Sequence, residues 1–295
     1  MGMRDVSLRK LAEVQEDLFA GWQLRERNFN HAMIDHRVAN HGWREVHRGV
    51  WTTQQGPLTR RQRLIAAVLT ARGTHLNALS TGDLFGFHSW EGDHETVVRA
   101  GGGGPRRYPG LLVGHSQTLP GNVTRHKGLP TVTPERALLE LARDLPNAQT
   151  RRAFREACRL GCTTPEKIGL ALRGQRGAPV LRPLCERYAE IPYHRCRSDA
   201  ESRGLEVLHD AGVRLPDVNI RVAGREADFV WRRWKLIVEV HSKAFHPFAI
   251  DDLDKRARWE AAGYTVRYVW ANDIYHRPGV LLALAVPPNV QLAHS

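Results

Sequence analysis

The sequence predicts a mixed α/β chain built from several domains. Three observations carry that expectation. Near the start, three short helical patterns are followed by a strand-like hairpin. In the middle, short β-like pieces alternate with amphipathic helices and give way to an all-helical stretch. From residue 199 onward, the order helix, three strands, helix, strand, helix points to a mixed sheet flanked by helices.

Leu8, Leu11, Ala12, Leu18 and Phe19 set a helical pattern over residues 7–20, and residues 22–27 suit a second short helix. Asn30 is an N-cap for a third, over residues 31–40, with Met33, Ile34 and Val38 facing inward and Gly42 stopping it. Residues 43–51 alternate like a strand and return as a hairpin. Three helices followed by a hairpin is the winged helix-turn-helix order, so residues 1–57 are expected to form such a domain and to bind DNA. Its third helix would present His36, Arg37 and Asn40. Arg37 could reach base edges or phosphate, and His36 and Asn40 could bond to bases. Arg44, His47 and Arg48 sit on the wing. An ordinary basic surface or a protein-docking module fits the same pattern.

Residues 58–145 read as an accessory α/β region. Residues 60–72 and 76–87 are helical patterns, and β-like pieces fall at 95–99, 111–115, 122–126 and 130–132. Four glycines at 101–104 lack the Lys-Ser/Thr ending of a phosphate-binding loop and read as a turn. Thr133 caps a helix with Pro134 in its first position. Residues 146–197 are expected to be a helical linker. Arg151, Arg152, Arg155 and Arg159 repeat there on one helix face, a pattern found on solvated faces and on faces that track phosphates. Pro192 breaks the helical pattern, and the last domain, 198–295, is placed after it.

Lys and Arg total 43 against 31 Asp and Glu, a net charge of +12. Such an excess favours a polyanionic partner, because each neutralised phosphate releases counterions. With 42% apolar residues the chain can bury real cores, which excludes a disordered tail. No apolar run approaches the about 18 residues of a membrane span, and the N-terminus lacks a signal-peptide segment. The expected partner is therefore DNA and not a membrane, with a cytoplasmic, nucleoid-associated location. Cys158, Cys162, Cys185 and Cys196 form no CxxC pair and are expected to be free thiols. Cys185, His194 and Cys196 are poorly spaced for zinc.

The chemistry concentrates in residues 227–246, two hydrophobic strands joined by a basic turn. Asp228 and Glu239 lie on the strands, and His241 and His246 follow. Carboxylates on adjacent strands can hold a divalent metal against a phosphate, and a histidine can activate water. With a two-residue turn at Arg232-Arg233, Asp228 pairs with Ile237. Asp228, Glu239 and His241 then share one face, whereas a loop one residue longer puts Glu239 on the other. A carboxylate between Val238 and Val240 in a buried strand is costly unless paired or metal-bound. Trp231, Trp234 and Trp259 read as core or rim packing.

Over residues 198–286 the chain resembles the PD-(D/E)xK nuclease superfamily, and within it the very-short-patch-repair (Vsr)-like endonucleases. The resemblance rests on the helix carrying Glu201, the Ala227-Asp228-Phe229 and Ile237-Val238-Glu239-Val240 strands, the Ala244-Phe245-His246 end, and Gly263-Tyr264-x-Val266-x-Tyr268-Val269-Trp270. His241 stands where superfamily members often carry Lys, yet a His there with a second His five residues on is what the repair endonucleases have. The resemblance implies a restriction-endonuclease-like sheet and Mg2+- (or Mn2+-) dependent DNA cleavage or nicking, including at mismatched or modified DNA. On that reading Asp228 is the metal ligand and Glu239 completes the site or binds through water. Glu201 holds a water near the metal, and His246 is the general base. His241 assists it or contacts the phosphate, and Lys243 adds positive charge.

Residues 7–145 resemble the AbiEi-type antitoxin and transcriptional-regulator family, through His47-Arg48-Gly49-Val50-Trp51, Leu58-Thr59-Arg60 and the stretch 128–142 (GLPTVTPERALLELA). That resemblance implies a DNA-binding winged helix with an accessory region. It also implies a rival function, a regulator whose nuclease fold is inactive.

Overall fold

The computed structural model describes residues 3–172, 179–242 and 250–287. The protein is mixed α/β, and among these residues no helix is long and apolar enough to cross a membrane. The chain forms two compact units that divide between Pro146 and Asn147.

The first unit opens with α1 (Met3–Gln15), β1 (Leu18–Ala20), α2 (Gly21–Glu26), α3 (His31–Asn40), β2 (Arg44–His47) and β3 (Val50–Thr52). The Asn30 side chain accepts the Met33 N–H at 2.9 Å and starts α3 where the sequence places it. Residues 18–20 are a strand and not the end of the first helix. Glu16 and Asp17 both take positive φ, turn the chain, and let β1 pair with β3 in a sheet of order β1-β3-β2. Phe19 stacks on Trp43 at 4.9 Å, in a core shared with Leu8, Leu24 and Ile34.

The chain continues through α4 (Arg60–Leu69), β4 (His75–Leu76), α5 (Ala78–Phe85), β5 (Glu95–Ala100), β6 (Arg106–Tyr108), β7 (Leu111–Ser116), β8 (Val123–His126), β9 (Leu129–Val132) and α6 (Pro134–Asp144). Thr59 and Gln62 cap α4 reciprocally. The strands form a mixed sheet of order β6-β7-β5-β4-β9-β8. β4 and β6 are too short to show a periodic pattern in the sequence. Leu64, Ile65 and Val97 share one core with Leu18 and Val50, so a single core runs across the boundary expected at 57/58.

The second unit begins with α7 (Asn147–Arg159), α8 (Pro165–Ala171) and α9 (Leu181–Arg187). It then runs through α10 (Asp199–Asp210), β10 (Asp217–Val222), β11 (Arg225–Trp231), β12 (Leu236–His241), α11 (Ile250–Ala261), β13 (Thr265–Trp270), α12 (Ala271–His276) and α13 (Gly279–Leu284). The sheet order is β10-β11-β12-β13, antiparallel except for the parallel pair β12 and β13. The region expected to be a linker packs into this unit. Arg155 of α7 makes a two-pronged ion pair with Asp199 of α10, at 2.8 and 3.1 Å.

The two sheet faces are covered differently. Val230, Ile237 and Val266 pack with Trp259 of α11. On the other face Phe229 lies under Gly204 of α10. A Cβ there would come within 3.0 Å of the Phe229 ring and 3.4 Å of Leu281. Phe229 is fully buried and has nowhere to move. Gly204→Val is therefore expected to destabilise the protein by about 1–3 kcal/mol despite removing a helical glycine. Urea denaturation measures it, and an unchanged midpoint would contradict this packing.

Candidate active site

Two turns set the geometry of the acid-bearing strands. Between β10 and β11, Ala223 and Gly224 both take positive φ and join Val222 to Arg225 in a two-residue turn. Between β11 and β12 the loop is four residues long and not the expected two. Arg232–Trp234 makes a 3-10 turn, and Lys235 closes it in the left-handed region at φ 49°. The pairs are Trp231 with Leu236, Val230 with Ile237 and Phe229 with Val238. Continuing that register sets Asp228 opposite Glu239, where a two-residue turn would have set Ile237. The loop differs by two residues, an even number, so the faces are unchanged. Asp228, Glu239 and His241 share the face that carries Val230 and Ile237.

Beyond Phe229 and Val238, side chains carry the hydrogen bonds between these strands. Glu239 Oε1 accepts the Asp228 backbone N–H at 2.8 Å, and Asp228 Oδ2 accepts the Val240 N–H at 2.7 Å. The two carboxylates are thus locked against each other across the strand pair.

On the far side of Asp228 lies Asn219 of β10, between the pairs Val218–Phe229 and Ile220–Ala227. Asn219 takes positive φ, and its side-chain amide donates to Glu201 Oε2 at 2.6 Å. Glu201 is buried and also accepts the Arg197 N–H at 2.9 Å and the Ser198 hydroxyl at 2.7 Å. Both its oxygens accept hydrogen bonds from the chain, which fixes its side chain.

These surroundings make Asp228 a costly carboxylate. Burial, with the Glu201 and Glu226 charges adding to it, pushes the carboxyl up to about 6, against the pull of the Val240 N–H and Lys255. A hard cation would relieve that cost. Two adjacent carboxylates, completed by water and a phosphate, are a donor set that suits Mg2+. Among the described residues no group of three His, Cys, Asp or Glu could hold a metal by itself, the zinc combination included. Asp228 and Glu239 are the two adjacent carboxylates at this site.

His241 stands at the end of β12 in register with Trp270. Its ring meets those of Tyr268 and Trp270 edge-on, at 4.7 and 5.8 Å between centroids. Lys243 and His246 lie outside the described residues. Trp231 and Trp259 are buried, and Trp231 stacks on Trp234 at 5.7 Å, as packing groups. None of the four cysteines is in a disulfide. Sequence reasoning missed Asn219, Glu226 and Lys255. An Asn inside a strand pattern was the one available signal.

In the first unit the expected DNA contacts are unequal. The Arg37 guanidinium lies over the Phe29 and Trp43 rings, at 4.8 and 5.7 Å. Arg44 donates to the Gln54 carbonyl at 2.9 Å and to that of Gly56. Both therefore make internal contacts that organise the hairpin. Asn40 donates back to the His36 carbonyl at 3.1 Å and its amide nitrogen lies 3.0 Å from His36 Nδ1. His36 and Asn40 are exposed on α3, and Arg48 lies at the hairpin turn.

The chain matches no protein-family model and no curated protein.

The Asp228 environment has a measurable consequence. Burial moves its carboxyl from the ordinary 3.8 up to about 6 in the folded chain. Between those values the folded state keeps a proton that the unfolded state has lost, so this group's stabilising contribution falls as pH rises from about 4 to 6. Asp228→Asn removes that loss and is expected to stabilise the protein by roughly 1–3 kcal/mol at pH 7.5, and by far less at pH 4. Thermal melts across pH measure it. Destabilisation at every pH would make the carboxylate a structural brace only.

Proposed function

We propose that the protein is a metal-dependent endodeoxyribonuclease whose centre is the Asp228–Glu239 pair. The observation that carries this reading is the placement of two carboxylates opposite each other where the backbone ladder stops, one of them with its pKa driven up. A fold that only needed stability would avoid that arrangement. Asp228 and Glu239 would hold Mg2+ or Mn2+, and the ion would neutralise charge on a bound phosphodiester and its leaving oxygen. Asn219 holds Glu201, whose charge, with that of Glu226, acts on Asp228. His241, on the same face, would contact the phosphate or assist a base. His246 as general base and Lys243 as a phosphate contact are carried by the sequence alone. The C-terminal sheet is read as restriction-endonuclease-like and Vsr-like on the residues that resemble that group.

The first unit is read as a winged helix, from the order α1, α2, α3 and then the β2–β3 hairpin. It would add DNA affinity or site choice, with Arg48, His36 and Asn40 as the contacts. A cytoplasmic, nucleoid-associated location belongs to the same proposal.

A second reading has its own observation. Each acid already satisfies a backbone N–H, an account of both that requires no catalysis. On that reading the protein is a DNA-binding regulator or antitoxin-like protein with an inactive nuclease fold.

Nicking of supercoiled plasmid separates the two. Wild type is expected to nick with Mg2+ or Mn2+ and not with EDTA. Asp228→Asn and Glu239→Gln are expected to lose at least about 100-fold in rate while staying folded. Duplex binding with no cleavage of any duplex, or an Asp228→Asn protein that nicks as wild type, favours the regulator. In a separate binding titration, Arg48→Ala is expected to weaken duplex affinity without a stability loss. It should lower the slope of log K against log salt by about 1. An unchanged slope removes Arg48 from the interface.

A further inference from the structure

The arginine repeat on α7 takes no part in the centre described above. Arg151, Arg152 and Arg155 instead line a cleft of about 470 Å³ together with Arg203 of α10 and Tyr275 and His276 of α12. That size falls among small-ligand sites. The cleft shares no residue with the Asp228–Glu239 pair.

Its charges do not balance. Arg155 is buried and paired with Asp199, and it reaches the fully buried Glu206 at 3.4 Å. Arg203 also donates to Glu206, at 3.0 Å. Asp210, behind Tyr188, is matched by Arg187 at 2.7 Å. Two carboxylates thus face four guanidinium groups, and Arg151 and Arg152 carry the excess. Arg152 is 71% exposed and only 3.8 Å from Asp199. Arg151 lies 4.0 Å from Glu206 and donates to the Tyr188 hydroxyl at 3.2 Å. Its Nε is buried with no hydrogen-bond partner among the described residues.

Guanidinium forks suit phosphate oxygens. One wall adds a second kind of contact. The Tyr275 hydroxyl is tied to Asp199 at 2.7 Å while the residue stays 40% exposed, which leaves a fixed ring on the wall. Aromatic faces of this kind stack nucleobases. We propose that this cleft binds a nucleotide, its phosphate on Arg151, Arg152 and Arg203 and its base against Tyr275. The nucleotide could be free or one unit of a strand, and the chemistry of recognition is the same.

Calorimetric titration of the full chain in EDTA tests this apart from any cleavage. The probes are inorganic phosphate, adenosine, adenosine 5′-monophosphate and a short single-stranded oligonucleotide. The monophosphate is expected to bind more tightly than phosphate or adenosine. Arg152→Ala, an exposed change that spares the fold, should weaken it by about tenfold or more. Tyr275→Leu should weaken the monophosphate but not phosphate, and Tyr275→Phe should retain binding. Tighter binding of the oligonucleotide that Arg152→Ala weakens assigns the site to a strand, and oligonucleotide binding that Arg152→Ala leaves unchanged assigns it to a free nucleotide. The proposal is overturned if wild type binds no monophosphate, binds it no better than phosphate, or binds it unchanged after Arg152→Ala.

Discussion

Beyond Phe229 and Val238, β11 is held to β12 by two carboxylates in place of peptide carbonyls, and the rest of the C-terminal unit is arranged around that substitution. A backbone N–H inside a protein must find an acceptor. Here Glu239 takes the one on Asp228 and Asp228 takes the one on Val240. The strands can then separate without stranding donors, and the acids are held where the sheet opens. The arrangement has a cost: Asp228 is largely desolvated near the Glu201 and Glu226 charges, which raises its carboxyl to about 6. Asn219, in an unfavourable left-handed conformation, keeps Glu201 anchored next to it. A left-handed backbone position and a disfavoured charge thus fall at one spot of the sheet.

Buried charge is handled differently elsewhere. Glu206 lies at the centre of a full set of partners, Arg155, Arg203 and the Tyr193 hydroxyl, and joins α7 to α10. In the first unit Glu95 is buried against Arg60 and the Ser80 hydroxyl. Such networks specify which helix packs where more than they add net stability, since desolvation offsets most of the attraction. The arginine cleft is the rim of one such network, where cations outnumber the acids available to them.

Local chemistry was legible in the sequence wherever one residue type controls a backbone position. Asn30 and Gly42 bracket α3, and Thr133 with Pro134 starts α6. The shared face of Asp228, Glu239 and His241 was legible too, because side chains alternate along a strand and the real loop differed from the expected one by an even number of residues. What the pattern could not reveal was long-range pairing. Residues 18–20 carry a helical pattern but become a strand, because β3 offers them hydrogen bonds. Arg37 and Arg44 look like free cations in the sequence, yet aromatic rings and loop carbonyls nearby in space engage them.

The amino-acid order alone determined a basic, mixed α/β chain, where most of its helices begin, and the parity that puts two acids on one side of a sheet. These follow from local rules of capping and alternation. The folded structure alone decided that Asp228 faces Glu239 directly, that Asn219 and Glu201 crowd it from the next strand and helix, and that α7 delivers its arginines to α10. Those outcomes depend on register and on burial, which arise only when distant segments pack and exclude water from the charges between them.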